Sequence, residues 1–221
     1  MLIMRKKQCG LLIVEVLIGL TLSTIIAVAA LALFSTTITS SEQVLKKGKL
    51  DRDLYAAMDM MVADIQRAGR WNNATSSVAN PFTTGPNDIT VSSGNCVTFT
   101  YDTCTDGTQP TCPSPATGGT VPNGEKFGYR LNGSAIQFLS AAATPLSCAS
   151  GTWTNLTDPN VIIITAFTVS ITSVAVNPTS GTNTTNYRTV NISISAQLKN
   201  DSAVTKIITR SIKVYNNSYT P

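Results

Sequence analysis

The sequence predicts an α+β protein in which a long N-terminal α-helix packs against an antiparallel β-sheet. Two features lead to this fold class. Residues 1–80 contain no proline, and from about Lys126 onward apolar and polar residues alternate as they do in half-buried strands. The chain has 221 residues, 43% of them hydrophobic, which is enough for one sizeable core. We therefore expect one head domain with an N-terminal extension.

The N-terminal extension is an apolar run of 24 residues, Leu11 to Phe34, in which Glu15 is the only charge. A helix of this length can cross a bilayer. Arg5, Lys6 and Lys7 precede it and, by the positive-inside rule, keep the N-terminus in the cytoplasm and send the rest of the chain across. Because an unpaired carboxylate is costly in a membrane, Glu15 needs a partner or a proton.

Three ordinary interpretations explain this segment less well. A secretory signal cleaved near Ala30 would hold an acid in its apolar region and would be longer than usual. A lipoprotein signal would need small or apolar residues before Cys9, where the chain has Lys7 and Gln8. A plain membrane anchor fits the length but gives Glu15 no purpose.

The helix is predicted to continue beyond Phe34 as an amphipathic segment. Gly69, in the stretch DIQRAGRW, is well placed to end the helix. Gly48 lies inside the predicted helix and is expected to lower its stability there. One helix is thus expected from about Leu11 to about Ala68. Apolar residues recur in its second half at steps of three and four, namely Leu50, Leu54, Met58, Met61, Ile65 and Ala68.

The remaining sequence predicts loops followed by strands. Residues 72–125 are rich in Asn, Ser, Thr, Gly and Pro, with one strand candidate at NCVTFTYD and a long loop at 102–125. Asn132-Gly133 predicts a hairpin, residues 161–176 a strand, and Asn200-Asp201-Ser202 the turn of a closing hairpin. The closing hairpin has one apolar face, which we expect to pack against the helix. This face is formed by Val190, Ile192, Ile194, Ala196 and Leu198.

The cysteines suit disulfide bonds formed after export. Cys9 lies before the apolar run, and the body holds four cysteines without CxxC spacing. Four cysteines allow three connectivities. Cys104 and Cys112 are close enough in sequence to close the long loop, which would leave Cys96 to pair with Cys148.

No catalytic residue, cofactor or metal site is predicted. The chain has no histidine, which removes the commonest general base and metal ligand. Asp102 and Asp106 offer too few oxygens for calcium, so Asp106-Gly107 is interpreted as a turn.

The stretch KKQCGLLIVEV resembles the class III signal of type IV prepilins, a short basic leader that ends in glycine before an apolar segment with glutamate at its fifth position. The resemblance makes Gly10 the last leader residue and Leu11 the first mature residue. It implies that a prepilin peptidase cuts between them and methylates the amine of Leu11. It also implies that Glu15 pairs with the N-terminal amine of a neighbouring subunit in the filament.

DIQRAGRW resembles the signature that closes the first helix of PilW-type minor pilins, through Asp64, Ile65, Arg67, Ala68, Gly69 and Trp71. CVTFTYD, EKFGYRLNGSAIQF and LTDPNVIIITAFTV resemble the same family in order along the chain. The resemblance implies a pilin fold with four parts. These are a leader at 1–10, a membrane or filament-core helix at 11–34, its amphipathic continuation at 35–70 and a β-rich periplasmic or extracellular head at 71–221.

The implied function is that of a minor pilin, without catalytic activity, that helps to initiate a type IV pilus and lies in or near its tip. The implied partners are the prepilin peptidase and methyltransferase, other minor and major pilins, a tip adhesin and the inner membrane. The chain would wait there as a single-pass protein with a cytoplasmic N-terminus, and would then move to the cell-surface pilus. Twitching motility, adhesion and DNA uptake are the processes such pili serve.

Two alternatives remain open. A GspJ-like pseudopilin of type II secretion shares the leader, the helix and an αβ head. A second class is an adhesive or DNA-binding minor subunit whose 72–125 region faces outward. Nucleic acid is not an expected partner, because the net charge of +4 falls to +1 without the leader and the cluster Lys46, Lys47 and Lys49 lacks interleaved aromatic residues.

Overall fold

A computed structural model describes residues 13–72, 80–103, 121–176 and 184–220. By its internal contacts the chain divides into two compact units, Met1–Lys47 and Gly48–Pro221. The leader residues Arg5, Lys6, Lys7 and Gly10, together with Leu11, lie outside the described residues, as do Cys104, Asp106 and Cys112.

Helix α1 spans Ile13–Arg67 without a break, and Gly48 does not interrupt it. The six apolar residues predicted to form one stripe, from Leu50 to Ala68, are all buried. The side chains before Leu50 remain exposed or, at Lys46, half-buried. The predicted helix and its buried stripe are therefore confirmed over the described residues.

The first sheet is an antiparallel meander in the order β1-β2-β3-β4-β5. Its first two strands, β1 and β2, follow two short 3-10 helices, and a third such helix at Asn123–Glu125 leads into β3. The five strands are β1 (Thr90–Ser92), β2 (Cys96–Thr100), β3 (Lys126–Asn132), β4 (Ala135–Ala141) and β5 (Thr152–Asn155).

The hairpin between β3 and β4 turns one residue later than predicted. Asn132 pairs with Ala135, so the two loop residues are Gly133 and Ser134. Gly133 has φ +59° and Ser134 does not have a positive φ, which fits a two-residue turn of the II′ type, in which glycine takes the first loop position. The glycine therefore takes the first place in the loop, and Asn132 ends the strand.

The second sheet contains β6 (Ile162–Val176), β7 (Thr184–Leu198), β8 (Asp201–Lys213) and β9 (Ser218–Thr220). Strand β7 lies at its centre and pairs with β6 along one side. Along its other side it pairs first with β9, near its start, and then with β8. The predicted apolar face of β7 is buried from Val190 to Leu198. The closing turn places Lys199 and Asn200 in the loop, because Leu198 pairs with Asp201.

The strands form two sheets, whereas the sequence predicted one. Strand β6 turns its outer edge toward the loops of the first sheet, where the Val169 amide donates to the Gly94 carbonyl at 2.7 Å and the Ile164 amide donates to the Ser134 carbonyl at 2.9 Å. These contacts join β6 to turns instead of to a further strand. Both sheets and the buried stripe of α1 contribute to one hydrophobic core.

Candidate functional site: the exposed apolar helix and the end of that helix

The first part of α1 exposes an apolar surface on all sides. Its large apolar residues from Ile13 to Ile38 are between 51% and 78% exposed. Among the described residues α1 is also the one helix with the length and composition to cross a membrane. Soluble proteins rarely expose so large a contiguous apolar surface, so this segment requires lipid or other apolar helices around it.

Eight hydroxyl groups in this segment are satisfied within the helix. Each of the eight donates to a backbone carbonyl three or four residues earlier at 2.8–3.0 Å, an arrangement that suits an apolar environment. The donors are Thr21, Ser23, Thr24, Ser35, Thr36, Thr37, Thr39 and Ser41. Glu15, in the first turn, is exposed and is the only ionisable residue from Ile13 to Ser41.

The C-terminal end of α1 is fixed by residues from several other elements. Gly69 has φ +76°, and its amide donates to the Thr100 carbonyl at 2.8 Å. The Asn216 side-chain amide donates to the Arg67 and Ala68 carbonyls at 3.3 and 3.2 Å. The last carbonyls of a helix have no partner within it, and these contacts satisfy two of them.

Asp64 joins the last turns of α1 to the first sheet. Its carboxylate accepts hydrogen bonds from the hydroxyls of Tyr101 at 3.2 Å and Tyr129 at 2.5 Å. Arg67 pairs with the same carboxylate at 2.6 Å and lies 4.9 Å from the centre of the Tyr101 ring. Burial and the Asp64 charge raise the pKa of Tyr101 to about 12 and also raise the pKa of Tyr129. Both tyrosines therefore remain hydrogen-bond donors at neutral pH.

Two buried carboxyl groups lie beside this junction, on Asp102 and Glu125. The Asp102 carboxylate accepts a hydrogen bond from the Asn72 amide at 3.0 Å. Burial, and then the charge of Asp102, raise the pKa of Glu125 to about 7. The described residues contain no group of three or more metal-ligating side chains. The second aspartate considered for calcium, Asp106, lies outside that part of the chain.

Arg188 is a buried residue that the sequence reasoning missed. Its side chain is 5% exposed, pairs with Asp88, and donates to the Asn216 carbonyl at 2.6 Å. It thereby holds the segment that caps α1. Side chains alternate between the two faces of a strand, so Arg188 lies on the same apolar face of β7 as Val190 and Ile192. This alternation is the sequence signal that could have identified Arg188 as buried.

The disulfide in the described structure joins Cys96, at the start of β2, to Cys148, in the segment between β4 and β5. This is the pairing that follows if Cys104 and Cys112 bond to each other. The bond between Cys104 and Cys112 stays a prediction because both residues lie outside the described residues.

A long apolar N-terminal helix combined with antiparallel sheets is the architecture of pilin-like structural proteins. The profile of one family, described as prepilin peptidase-dependent protein B, matches residues 43–214. The chain therefore belongs to this family, which consists of pilin-like structural proteins and not of enzymes. The leader motif and Glu15 lie outside the matched residues, so the family assignment is independent of them.

A relative from Escherichia coli (strain K12), also described as prepilin peptidase-dependent protein B, is 25% identical over 166 residues. The aligned region covers 75% of this chain and 79% of the relative. No solved structure matches. The prediction of a type IV pilin-related protein is confirmed at the level of the family. The narrower PilW assignment stays a prediction.

Proposed function

We propose that this chain is a minor subunit of a type IV pilus that helps to initiate assembly and lies in or near the tip. The observation that carries the proposal is the exposed apolar part of α1 with one carboxylate, Glu15, in its first turn. A membrane anchor needs the apolar surface but has no use for the acid. A helix that must enter a bundle in one defined register can use both.

Transfer of the helix from lipid to a bundle of similar helices changes its apolar surroundings little, because one apolar medium replaces another. Polar groups must therefore supply the specificity. A charge buried beside an opposite charge is tolerated, whereas the same charge without a partner is strongly unfavourable. We propose that Glu15 pairs with the N-terminal amine of a neighbouring subunit, and that this contact selects the axial position of the incoming helix.

The proposed life cycle begins in the inner membrane, with the N-terminus in the cytoplasm and the head outside. A prepilin peptidase would cut after Gly10, and the new amine of Leu11 would be methylated. Residues 11–34 would then form the membrane and filament-core helix, 35–70 its continuation, and 71–221 the head. The Escherichia coli relative is described as prepilin peptidase-dependent, which supports this processing step.

The pairing role of Glu15 is tested by Glu15→Ala, with Glu42→Ala as a matched control. Glu42 is an exposed acid on the same helix and is bound to Lys46 at 2.7 Å. We expect Glu15→Ala to be cleaved and inserted normally but to restore surface pili in a deletion strain to less than a tenth of the wild-type level. Glu42→Ala should restore them fully. Normal piliation with Glu15→Ala would contradict the pairing role.

A pseudopilin of type II secretion is the second candidate, because the same exposed helix and head would serve in a secretion pseudopilus. Deletion of the gene separates the two functions. Loss of surface pili and twitching supports the pilus subunit, and loss of exoprotein secretion with intact pili supports the pseudopilin.

A further inference from the structure

Strand β8 leaves one long edge of the second sheet unpaired within the described part of the chain. The Val214 amide donates to the Arg188 carbonyl at 3.0 Å, which sets the pairing pattern between β7 and β8. Even-numbered residues of β8 from Lys206 to Ile212 therefore bond to β7, and the intervening residues direct their amides and carbonyls away from it. These outward residues are Thr205, Ile207, Thr209, Ser211 and Lys213.

The other sheet edges offer shorter free stretches. Strand β6, the opposite edge of the same sheet, donates to the Ser134 and Gly94 carbonyls from Ile164 and Val169, which leaves residues 170–176 beyond these contacts. The edge strands of the first sheet have three residues (β1) and four residues (β5), whereas β8 has thirteen. Natural proteins normally protect a long edge with proline, a bulge or an inward-pointing charge, because such an edge pairs readily with another chain.

Strand β8 has little of this protection. Its register against β7 shifts between Asp201 and Thr205, but from Thr205 to Lys213 it has no bulge, proline or glycine, and Ile207 is 67% exposed near its centre. Lys206 is drawn to α1, where it binds Asp51 at 3.1 Å and lies 5.7 Å from the centre of the Tyr55 ring. From Thr205 to Lys213 the edge extends about 27 Å, long enough to bind a strand of about nine residues.

The charges beside this edge indicate what would bind there. Arg210 lies on the same side of the sheet as Lys206, 5.9 Å from the centre of the Tyr55 ring. Lys213 is exposed at the end of the strand. Among the described residues neither Arg210 nor Lys213 has a carboxylate within ion-pair distance. A second copy of β8 would bring its own cations to this edge, so an acidic strand fits better than self-pairing.

We propose that the free edge of β8 is a docking site for an extended acidic segment of a neighbouring subunit, which adds a strand to the second sheet. Backbone hydrogen bonds to the outward residues would hold the segment. Its acidic side chains would face Arg210 and Lys206, and its apolar side chains would face Ile207. The inference rests on the proposed function, since it names the chemistry of a partner within the pilus.

The test measures binding of two peptides to the full chain in detergent micelles. One nine-residue peptide alternates valine with glutamate, and the other alternates valine with lysine. We expect the glutamate peptide to bind at least tenfold more tightly by fluorescence polarisation. It should also slow hydrogen exchange at the amides of Ile207, Thr209 and Ser211 but not elsewhere in the head.

Two variants and one control define the site. Thr209→Pro removes an outward amide without removing a bond to β7 and should weaken binding at least tenfold, whereas Thr209→Ala should change it less than twofold. Arg210→Glu should reverse the preference between the peptides. Equal binding of both peptides, no protection of these amides, or concentration-dependent protection without peptide would overturn the proposal. Because the isolated chain is used, these outcomes do not depend on whether Glu15 acts in pilus assembly.

Discussion

Asp64 binds three side chains at the end of α1. It accepts hydrogen bonds from two tyrosine hydroxyls and pairs with Arg67. The strength of this arrangement comes from burial, since a buried hydroxyl without a partner costs more than an ordinary hydrogen bond gains. In DIQRAGRW the aspartate therefore has a structural role that its spacing alone did not reveal.

Asp64→Ala should lower the free energy of unfolding by about 2–4 kcal/mol, because it leaves the hydroxyls of Tyr101 and Tyr129 without their acceptor. Asp59→Ala is the control, since Asp59 is exposed on the same helix; its effect should stay within about 0.5 kcal/mol. Denaturant unfolding of the full chain in detergent measures both. Equal effects of the two substitutions would exclude a structural role for Asp64.

Glu125 makes stability depend on pH. Its pKa of about 7 in the folded chain lies above the ordinary value of 4.5, so between these values the folded chain binds more protons than the unfolded chain. Its contribution to stability is thus complete below about pH 4.5 and is lost as the pH rises through 7. Thermal unfolding should show that Glu125→Gln, which stays neutral, removes this loss. Parallel pH profiles for the two proteins would refute the assignment.

At the scale of the elements, sequence periodicity was sufficient to predict α1, its buried stripe and the apolar face of β7. A helix and a half-buried strand each repeat apolar residues at a fixed spacing. Periodicity was insufficient for three features. The β3–β4 turn depends on which residue can take φ +59°. The partners of Arg188 and the division into two sheets depend on contacts between residues far apart in sequence.

Gly48, inside α1, and Gly69, just after its end, give a matched test of how the helix ends. Gly69 has φ +76°, and a Cβ there would lie 2.7 Å from Thr83 Cγ2. Gly69→Ala should therefore destabilise the head by at least about 1–2 kcal/mol. Gly48 lies inside the helix with open space around it. Gly48→Ala should stabilise the chain by about 0.5–1 kcal/mol. Destabilisation by both alanines in denaturant unfolding would contradict this account of the helix end.

At the scale of the whole molecule, the head folds around its own core, and the first part of α1 exposes apolar side chains that need another environment. The family assignment depends on residues 43–214, and the proposed mechanism depends on the residues before them. The leader motif could be identified from the sequence alone because it is local. The proposed partner of Glu15 could not, because the proposal places it on another chain.

Processing between Gly10 and Leu11 is the central claim. A cut there would make Glu15 the fifth residue of the mature chain and would create the amine with which Glu15 is proposed to pair. Mass spectrometry of the chain purified from its own cells measures it most directly. We predict a mature protein that begins with methylated Leu11 and retains the whole apolar helix. An N-terminus at Met1, or one near Ala30, would contradict the account.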